Sequence, residues 1–412
     1  MWDAGPTTSS EIPPEDGARA RPPDAAGRHF RPDPRLAPPP RRRSLGPARW
    51  ALIVAAFAVG TASSVHWAAG LHGGGAADRQ ATSTAPGKTR GDVARGGNHR
   101  APAEAAAAPA PVRYEPYRRP DPTLPAVPAG PVKRFRVEVL MHRTKVAADR
   151  PPLRVWSFGV NGRFMRGTGV SPPMVVEQGD RVAVTFVNGA REAMHVDMPH
   201  SLDIHAAEIA PNRAFKTIAP GATTHYSFVA RNPGVFMYHC ATQPMVWHLG
   251  SGMVGMLVVK PRHMPKVDRE LWLVQQEYFL PHTPGADSDY GKMLDEKPDV
   301  IAFNGYADQY MRHPIRVRAG ERIRMYVLNP GPTHTSSFHV IGAVFDRFSS
   351  EGVRGGPAQV MALPPSTGGW VELTLHGEGA FPFVDHNFAS MAKGAMGALL
   401  TAHAPPGATD GF

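Results

Sequence analysis

Two sets of short alternating strands constrain the fold of this 412-residue chain more than any other feature. The first set is KRFRVEVLM, DRVAVTFVN, THYSFVA and GMVGMLVVK. The second is ELWLVQQEYF, PIRVRAGERIRMYVLN, SFHVIGAVF and WVELTLHG. Alternation with a period of two gives each strand one core-facing side, and Gly, Pro and Asn turns at this spacing are typical of β-sandwiches. The sequence therefore predicts an all-β fold.

An internal similarity divides the folded region in two. Each set has one segment in which a turn glycine and charged residues lead into an alternating strand, GDRVAVTFVN in the first and GERIRMYVLN in the second. This predicts two copies of one sandwich. We place the boundary between Pro261 and Lys266, which gives a first domain over residues 132–262 and a second over residues 263–405. A chain of this length can bury two such cores.

The N-terminal third has a different composition. Residues 1–49 are rich in Pro, Arg and Ala without apolar periodicity, which is typical of a disordered arm, and residues 72–131 predict a low-complexity, flexible linker. Between them, Trp50–Leu71 carries no charged residue and is long enough to cross a bilayer. We predict a transmembrane helix or signal anchor here, with a cleaved signal peptide as the alternative.

The charges around this span predict its orientation. Arg41, Arg42, Arg43 and Arg49 precede it, so the positive-inside rule leaves the N-terminus in the cytoplasm and exports the rest of the chain. We expect the folded region on the extracytoplasmic face of the membrane, anchored by the N-terminal helix or released if the span is cleaved. Of the net charge of +10, residues 1–113 contribute 15 Lys/Arg against 9 Asp/Glu, or +6. No basic face interleaved with aromatic residues follows, so we predict no nucleic-acid binding.

Cys240 is the only cysteine of the chain, and side chains that bind metals surround it. A single cysteine excludes an intramolecular disulfide. His248 and Met253 follow it, separated by turn residues. Thiolate, imidazole and a thioether on a long axial bond are the ligands of a blue-copper site, which needs a second imidazole. The upstream segment MPHSLDIHAAE supplies His200 and His205 as candidates.

Strand geometry divides the histidines between two metal sites. Neighbouring side chains of a strand face opposite sides, so His239 and Cys240 must serve different sites. If the upstream segment is also extended, His200 and His205 face opposite sides as well. We assign His200 to the copper of Cys240, and His205 with His239 to a second copper that has no sulfur ligand. Strand geometry alone also allows the opposite assignment of His200 and His205. Two coppers joined through adjacent residues form an electron route towards a small oxidised substrate.

Four segments together resemble the copper-containing nitrite reductases, which are two-domain cupredoxin enzymes that work as homotrimers. They are MPHSLDIHAA, GVFMYHCATQPMVWHLGSGMVGMLVV, SSFHVIGAVFD and FVDHNF, and the resemblance runs from about Val132 to His403. It implies two cupredoxin-like Greek-key β-sandwich domains with one type 1 and one type 2 copper per chain. The implied activity is one-electron reduction of nitrite to nitric oxide and water. We expect an electron donor such as a cupredoxin or a c-type cytochrome, whose identity the sequence does not give.

The resemblance also implies a role for each site residue. Asp203 matches the acid that hydrogen-bonds bound nitrite, His339 the second proton donor, and Ile341 the apolar residue of the substrate pocket. Nitrite reduction consumes two protons, which a carboxylic acid and an imidazole can supply. The electron passes from the type 1 copper through Cys240 and His239 to the type 2 copper. The resemblance implies His200, Cys240, His248 and Met253 as the type 1 ligands, and His205, His239 and, from a neighbouring subunit, His386 as the type 2 ligands.

Other functions compete with this reading. A multicopper oxidase reduces dioxygen at a three-copper cluster held largely by His-x-His pairs, and the chain contains no such pair. A two-copper enzyme with the same wiring could act on another small molecule such as dioxygen, because the loop HAAEIAPNRAFKTIAPG departs from the Gly-rich stretch common in the family. A non-catalytic electron-transfer cupredoxin needs only the first copper. Such a protein would have no role for the candidate residues outside the first copper site, which are His205, His239, His386, Asp203 and His339.

Overall fold

The computed structural model describes residues 111–189 and 192–410, and these form mainly β-strands, as predicted. The predicted arm over residues 1–49, the predicted span Trp50–Leu71 and most of the predicted linker lie outside the described residues. Within the part of the chain that is described, no helix is long and apolar enough to span a membrane. The strands form two pairs of sheets, the first within residues 132–260 and the second within residues 269–401.

The first pair of sheets packs around one apolar core. One sheet has the order β2-β1-β4-β6 and the other β3-β8-β7-β5. Trp156 and Phe186 of the first sheet meet Tyr238 and Leu257 of the second, and all four are fully buried. The strands are β1 (Val132–Thr144), β2 (Leu153–Val160), β3 (Met174–Glu177), β4 (Arg181–Val187), β5 (Asp203–Ile204), β6 (Thr223–Val229), β7 (Gly234–His239) and β8 (Val254–Lys260).

The second pair has its own core, with Phe303, Phe338 and Phe383 in mutual ring contact. Its sheets have the orders β10-β9-β12-β17-β14-β15 and β11-β19-β18-β13-β16. The strands of the larger sheet are β9 (Arg269–Tyr278), β10 (Val300–Phe303), β12 (Arg322–Gly331), β14 (Arg347–Ser350), β15 (Val353–Gly355) and β17 (Thr367–Thr374). Those of the smaller sheet are β11 (His313–Val317), β13 (Ser336–Val340), β16 (Val360–Leu363), β18 (Ala380–Asp385) and β19 (Met396–Thr401).

The two pairs repeat one topology. The order β2-β1-β4-β6 corresponds to β10-β9-β12-β17, with the same parallel pairing of β1 with β4 and of β9 with β12. The order β3-β8-β7-β5 corresponds to β11-β19-β18-β13. The repeated sequence segments become β4 and β12, at equivalent positions. Their turn glycines, Gly179 and Gly320, have φ of 91° and 78°, a conformation that glycine adopts without steric cost.

A third apolar layer joins the two pairs. The outer face of the sheet containing β7 and β8 packs against the six-stranded sheet, so that Met237 and Met256 share a buried cluster with Trp272 and Leu328. The sheet is thus covered on both faces. This explains why β8 reads as an almost continuous apolar run rather than a strict alternation.

The structure differs from the predicted linker at its C-terminal end. Residues 111–131, predicted as part of a flexible tether, lie along the folded region. Leu124 is buried in the layer between the sheet pairs, and its N–H donates to the carbonyl of Glu270 at 3.0 Å. The N–H of Trp272 donates to the carbonyl of Pro122 at 2.8 Å. A proline-rich segment can add such edge contacts around a few apolar residues, which composition alone does not reveal.

Helices are short and lie in the connections between strands. A 3₁₀ turn covers Glu192–Met194. The second α-helix follows Cys240 and carries His248, and the third packs against it. The α-helices are α1 (Pro211–Ala214), α2 (Met245–Gly250), α3 (Tyr290–Leu294), α4 (Gln309–Arg312) and α5 (Phe388–Ala392).

Candidate metal centres

His200, Cys240 and His248 form the first cluster, buried in the first pair of sheets. The Nδ1 atoms of the two histidines are 3.1 Å apart, and Sγ of Cys240 lies 3.3 Å from Nδ1 of His248 and 3.8 Å from Nδ1 of His200. Three donor atoms therefore converge on one small volume. Two imidazoles and a thiol are the donor types of a trigonal copper site.

Three separate segments of the backbone position these side chains. Cys240 directly follows β7, His248 sits on α2, and His200 exchanges two backbone hydrogen bonds with Ile218. Met253 closes the arrangement: its N–H donates to the carbonyl of His248, and its own carbonyl accepts the N–H of Cys240. The Met253 side chain is fully buried in the same core.

Both imidazoles of the first cluster are held neutral. Burial lowers the pKa of His200 to about 3, with further lowering by His248 and by the positive charge of Arg154. Burial likewise lowers the pKa of His248 to about 4. A neutral imidazole keeps one ring nitrogen with a free lone pair, which is the form that binds metals. The donor set therefore fits copper by its chemistry as well as by its convergence.

The sequence reasoning missed Ser201 at this cluster. Its backbone N–H donates to Sγ of Cys240 at 3.4 Å, and its hydroxyl accepts the N–H of Ala241 at 2.9 Å. Hydrogen bonds to the cysteine sulfur are one of the features that tune such copper sites. Adjacency to His200 is the only sequence signal for Ser201, because the contact joins two distant segments.

Asp203, His205 and His239 form the second cluster. The Nε2 atoms of His205 and His239 are 3.0 Å apart, and Oδ2 of Asp203 lies 3.7 Å from Nε2 of His239. His239 is buried, Asp203 half-buried and His205 exposed, so the cluster opens to the protein surface. Two imidazoles with a carboxylate and no sulfur suit a metal that binds a small substrate.

The ring orientation of His239 is set by its own backbone. Its Nδ1–H donates to the carbonyl of Cys240 at 2.9 Å, which leaves Nε2 as the nitrogen with the free lone pair. Burial lowers the pKa of His239, although the Cys240 carbonyl opposes this, so the ring stays neutral. The same atom that can bind a metal is the one that faces His205.

One sheet separates the two clusters. Tyr238 of β7 points into the first core, whereas Met237 points into the layer between the sheet pairs. His239 therefore lies on the Met237 side and Cys240 on the Tyr238 side, as strand alternation predicts. The structure also groups His200 with Cys240 and His205 with His239. This grouping shows which upstream histidine lies with Cys240, a question that strand geometry alone left open.

The second pair of sheets carries the other predicted site residues. His339 on β13 and His386 after β18 have ring centroids 5.0 Å apart. Nδ1–H of His339 donates to the carbonyl of Gln359 at 2.6 Å, and the N–H of His386 donates to the carbonyl of Ser337 at 2.8 Å. Ile341 follows β13 and is half-buried. The strands β13 and β18 occupy the topological positions of β5 and β7, so the candidate site residues come from equivalent strands in both halves.

Within the part of the chain described, the second cluster includes no residue of the second half. The structure therefore does not bring His339 or His386 together with His205 and His239 in one chain. The ring of His386 packs instead against Phe388, which is 62% exposed. The histidine pair thus lies beside exposed apolar surface.

The fold and the paired clusters define a two-domain protein with two candidate metal centres, and the family model described as multicopper oxidase matches residues 141–263. The chain belongs to the copper-containing nitrite reductases. It is 34% identical over 288 residues to the copper-containing nitrite reductase of Neisseria meningitidis serogroup B, covering 67% of this chain and 70% of the relative. The figures for the enzyme of Neisseria gonorrhoeae are the same. A solved structure of copper nitrite reductase from Nitrosomonas europaea matches with a TM-score of 0.59 at 30% identity, covering 68% of this chain and 98% of that chain.

Proposed function

We propose that this protein reduces nitrite to nitric oxide. One electron and two protons are consumed, one N–O bond breaks, and the departing oxygen leaves as water. The observation that carries the proposal is the pair of donor clusters on opposite faces of one sheet, joined by the His239–Cys240 peptide. The membership of the chain in the copper-containing nitrite reductases supports the same reaction.

Copper, when bound, supplies one-electron redox chemistry at both clusters and a Lewis acid for a nitrite oxygen at the second. His200, Cys240, His248 and Met253 are the proposed ligands at the first cluster. His205 and His239 are proposed at the second, with His386 from a neighbouring subunit. The peptide between His239 and Cys240 gives the two sites a covalent connection.

Two side chains are proposed to hold the protons. Asp203 lies beside His239 with its side chain 25% exposed, and as a carboxylic acid it is proposed to donate a proton to a nitrite oxygen. His339 keeps Nδ1–H on the carbonyl of Gln359, so a proton on Nε2 is free to be donated. Ile341 is proposed to narrow the substrate pocket. A carboxylic acid and an imidazolium together match the two protons of the reaction.

The proposal includes an assembly. His386 and His339 lie outside the second cluster of their own chain, so the site becomes complete when a second copy brings its own pair to it. We assign two cupredoxin-like Greek-key domains, over residues 132–262 and 263–405, to a homotrimer with a shared site at each interface. An exported location, an N-terminal membrane anchor over Trp50–Leu71 and a cupredoxin or c-type cytochrome donor complete the proposal.

The test is nitric oxide release by the full chain, loaded with copper and given nitrite and a chemical reductant without oxygen. We expect nitric oxide at about two coppers per chain, and no release from the Cys240→Ala variant with a cupredoxin or cytochrome donor. Bound copper at both clusters without nitric oxide would reject nitrite as the substrate. Oxygen consumption by the same preparation would then favour the dioxygen alternative.

A further inference from the structure

One segment from the second half of the chain, residues 285–288, contacts residues that surround the first cluster. Residues 285–288 run beside the start of β2, where the N–H of Arg154 donates to the carbonyl of Ala286 at 2.8 Å. Two tryptophan side chains donate hydrogen bonds to this segment. Nε1–H of Trp156 donates to Oδ1 of Asp287 at 2.7 Å, and Nε1–H of Trp247 donates to the carbonyl of Ser288 at 3.3 Å.

The indole of Trp156 forms a wall of the first cluster. It is fully buried, and its ring centroid lies 5.8 Å from that of His200 and 5.2 Å from that of His248, both edge-on. Its backbone N–H donates to the carbonyl of Ser251 at 2.9 Å, within the loop that links His248 to Met253. Any movement of this indole therefore reaches both imidazoles. The bond to Asp287 fixes its position.

Asp287 also meets a positive charge. Its Oδ2 lies 3.5 Å from Nη1 of Arg154, whose Nη2 donates to Asp197 at 2.8 Å. The Arg154 side chain is 17% exposed and that of Asp287 30% exposed, so solvent screens this pair only in part. A positive charge near a redox copper favours its reduced form, and a nearby negative charge favours the oxidised form. Asp287 and Arg154 therefore act in opposite directions.

We propose that Asp287 is a positioning residue for the first cluster: it fixes the Trp156 indole against His200 and His248, and with Arg154 it sets the reduction potential of copper bound there. This rests on the proposed function, since it needs copper at that cluster. It assigns a role to a contact between the two halves of the chain.

The experiment is a redox titration of the visible copper–thiolate band in the full copper-loaded chain. Asp287→Asn keeps an oxygen acceptor for Trp156 but removes the charge, so we expect an unchanged band and an upward shift of the midpoint potential. Arg154→Gln should shift the midpoint downward. Asp287→Ala removes the acceptor as well, and should change both the band and the midpoint.

Asp149→Asn is the matched control, because Asp149 is a 74% exposed aspartate paired with a neighbouring arginine. It should leave both band and midpoint unchanged. A merely structural role for Asp287 would lower stability in the Asn and Ala variants without moving the midpoint, and an unmoved midpoint overturns the proposal. A wild-type chain that binds copper without a visible band would instead refute the proposed function, and this inference with it.

Discussion

Asp203 lies directly opposite His239 in the antiparallel pairing of β5 with β7, and its Oδ2 is 3.7 Å from Nε2 of that histidine. The next residue, Cys240, belongs to the other face of the sheet. One strand end thus presents a proton-holding carboxylate and an imidazole on one side and a thiol on the other. The chemistry proposed for both clusters depends on this register, because a slip of one residue would exchange the faces.

Replacing Cys240 with alanine should abolish the visible copper–thiolate band and electron delivery from a protein donor. Sγ of Cys240 lies 3.3 Å from Nδ1 of His248 and 3.8 Å from Nδ1 of His200, in position to complete their donor set. Absorption spectra and copper content would measure the loss. His205→Ala is the comparison: it should lower copper content while the band persists. A visible band in the Cys240 variant would remove the thiol from the site.

Replacing Asp203 with asparagine should lower nitrite turnover by roughly 10² or more, the usual scale for losing a proton donor. Both coppers should stay bound, because the two imidazoles of the second cluster are untouched. Steady-state nitric oxide production with copper analysis would measure this. Glu208→Gln removes a nearby exposed carboxylate paired with Arg231 and should have little effect. Equal turnover in the Asp203 variant and the wild type would exclude this residue from proton transfer.

His386→Ala should lose copper from the second cluster and keep the visible band of the first. If His386 serves a neighbouring subunit, co-expression of His386→Ala chains with His205→Ala chains should restore part of the nitrite turnover, although each variant alone is inactive. Mixed oligomers then contain interfaces at which an intact His205 meets an intact His386. Turnover that is not restored in verified mixed oligomers would argue against a shared site.

Replacing Arg324 with methionine should destabilise the fold by about 3–5 kcal/mol, the usual cost of removing one partner of a buried ion pair. Arg324 is 1% exposed and bonds to the carboxylates of Glu372 and Glu270. Denaturant unfolding would measure the change. Arg318→Met, at a side chain that is 70% exposed, should change stability by only about 0.5 kcal/mol or less. Similar losses in both variants would contradict the argument from burial.

The Glu270 carboxylate should make stability depend on acid pH. Burial alone would raise the pKa of Glu270, but the hydrogen bond and charge of Lys260, with Tyr326 and Arg324, outweigh it and lower the pKa below the ordinary 4.5. Because the pKa is lower in the folded than in the unfolded state, the ionised carboxylate stabilises the fold at pH values above the unfolded-state pKa. This stabilisation is lost as the pH falls through the folded-state pKa. Unfolding of wild type and Glu270→Gln across acid pH should converge on acidification. A constant difference between them would contradict this.

Periodicity predicted strands such as β1, β4 and β12, because alternation with a period of two is a local property of the chain. Other strands, such as β2 and β19, lie outside the predicted segments. Alternation also separated His239 from Cys240, since adjacent strand residues cannot share a face. Residues 111–131 show the limit of composition: buried Leu124, partly buried Val127 and the ring contact of Tyr117 with Tyr306 bind a proline-rich segment to the fold.

The sequence by itself determined two β-sandwich repeats, the donor types of two metal clusters and the division of their histidines into two faces. Only the tertiary structure decided which upstream histidine joins which cluster, because that depends on the pairing of β5 with β7 across an intervening loop. It alone placed Ser201 beside Cys240, Trp156 beside His200 and His248, and Asp287 beside Trp156. Those contacts join segments far apart in the chain, and local sequence patterns carry no information about such distances.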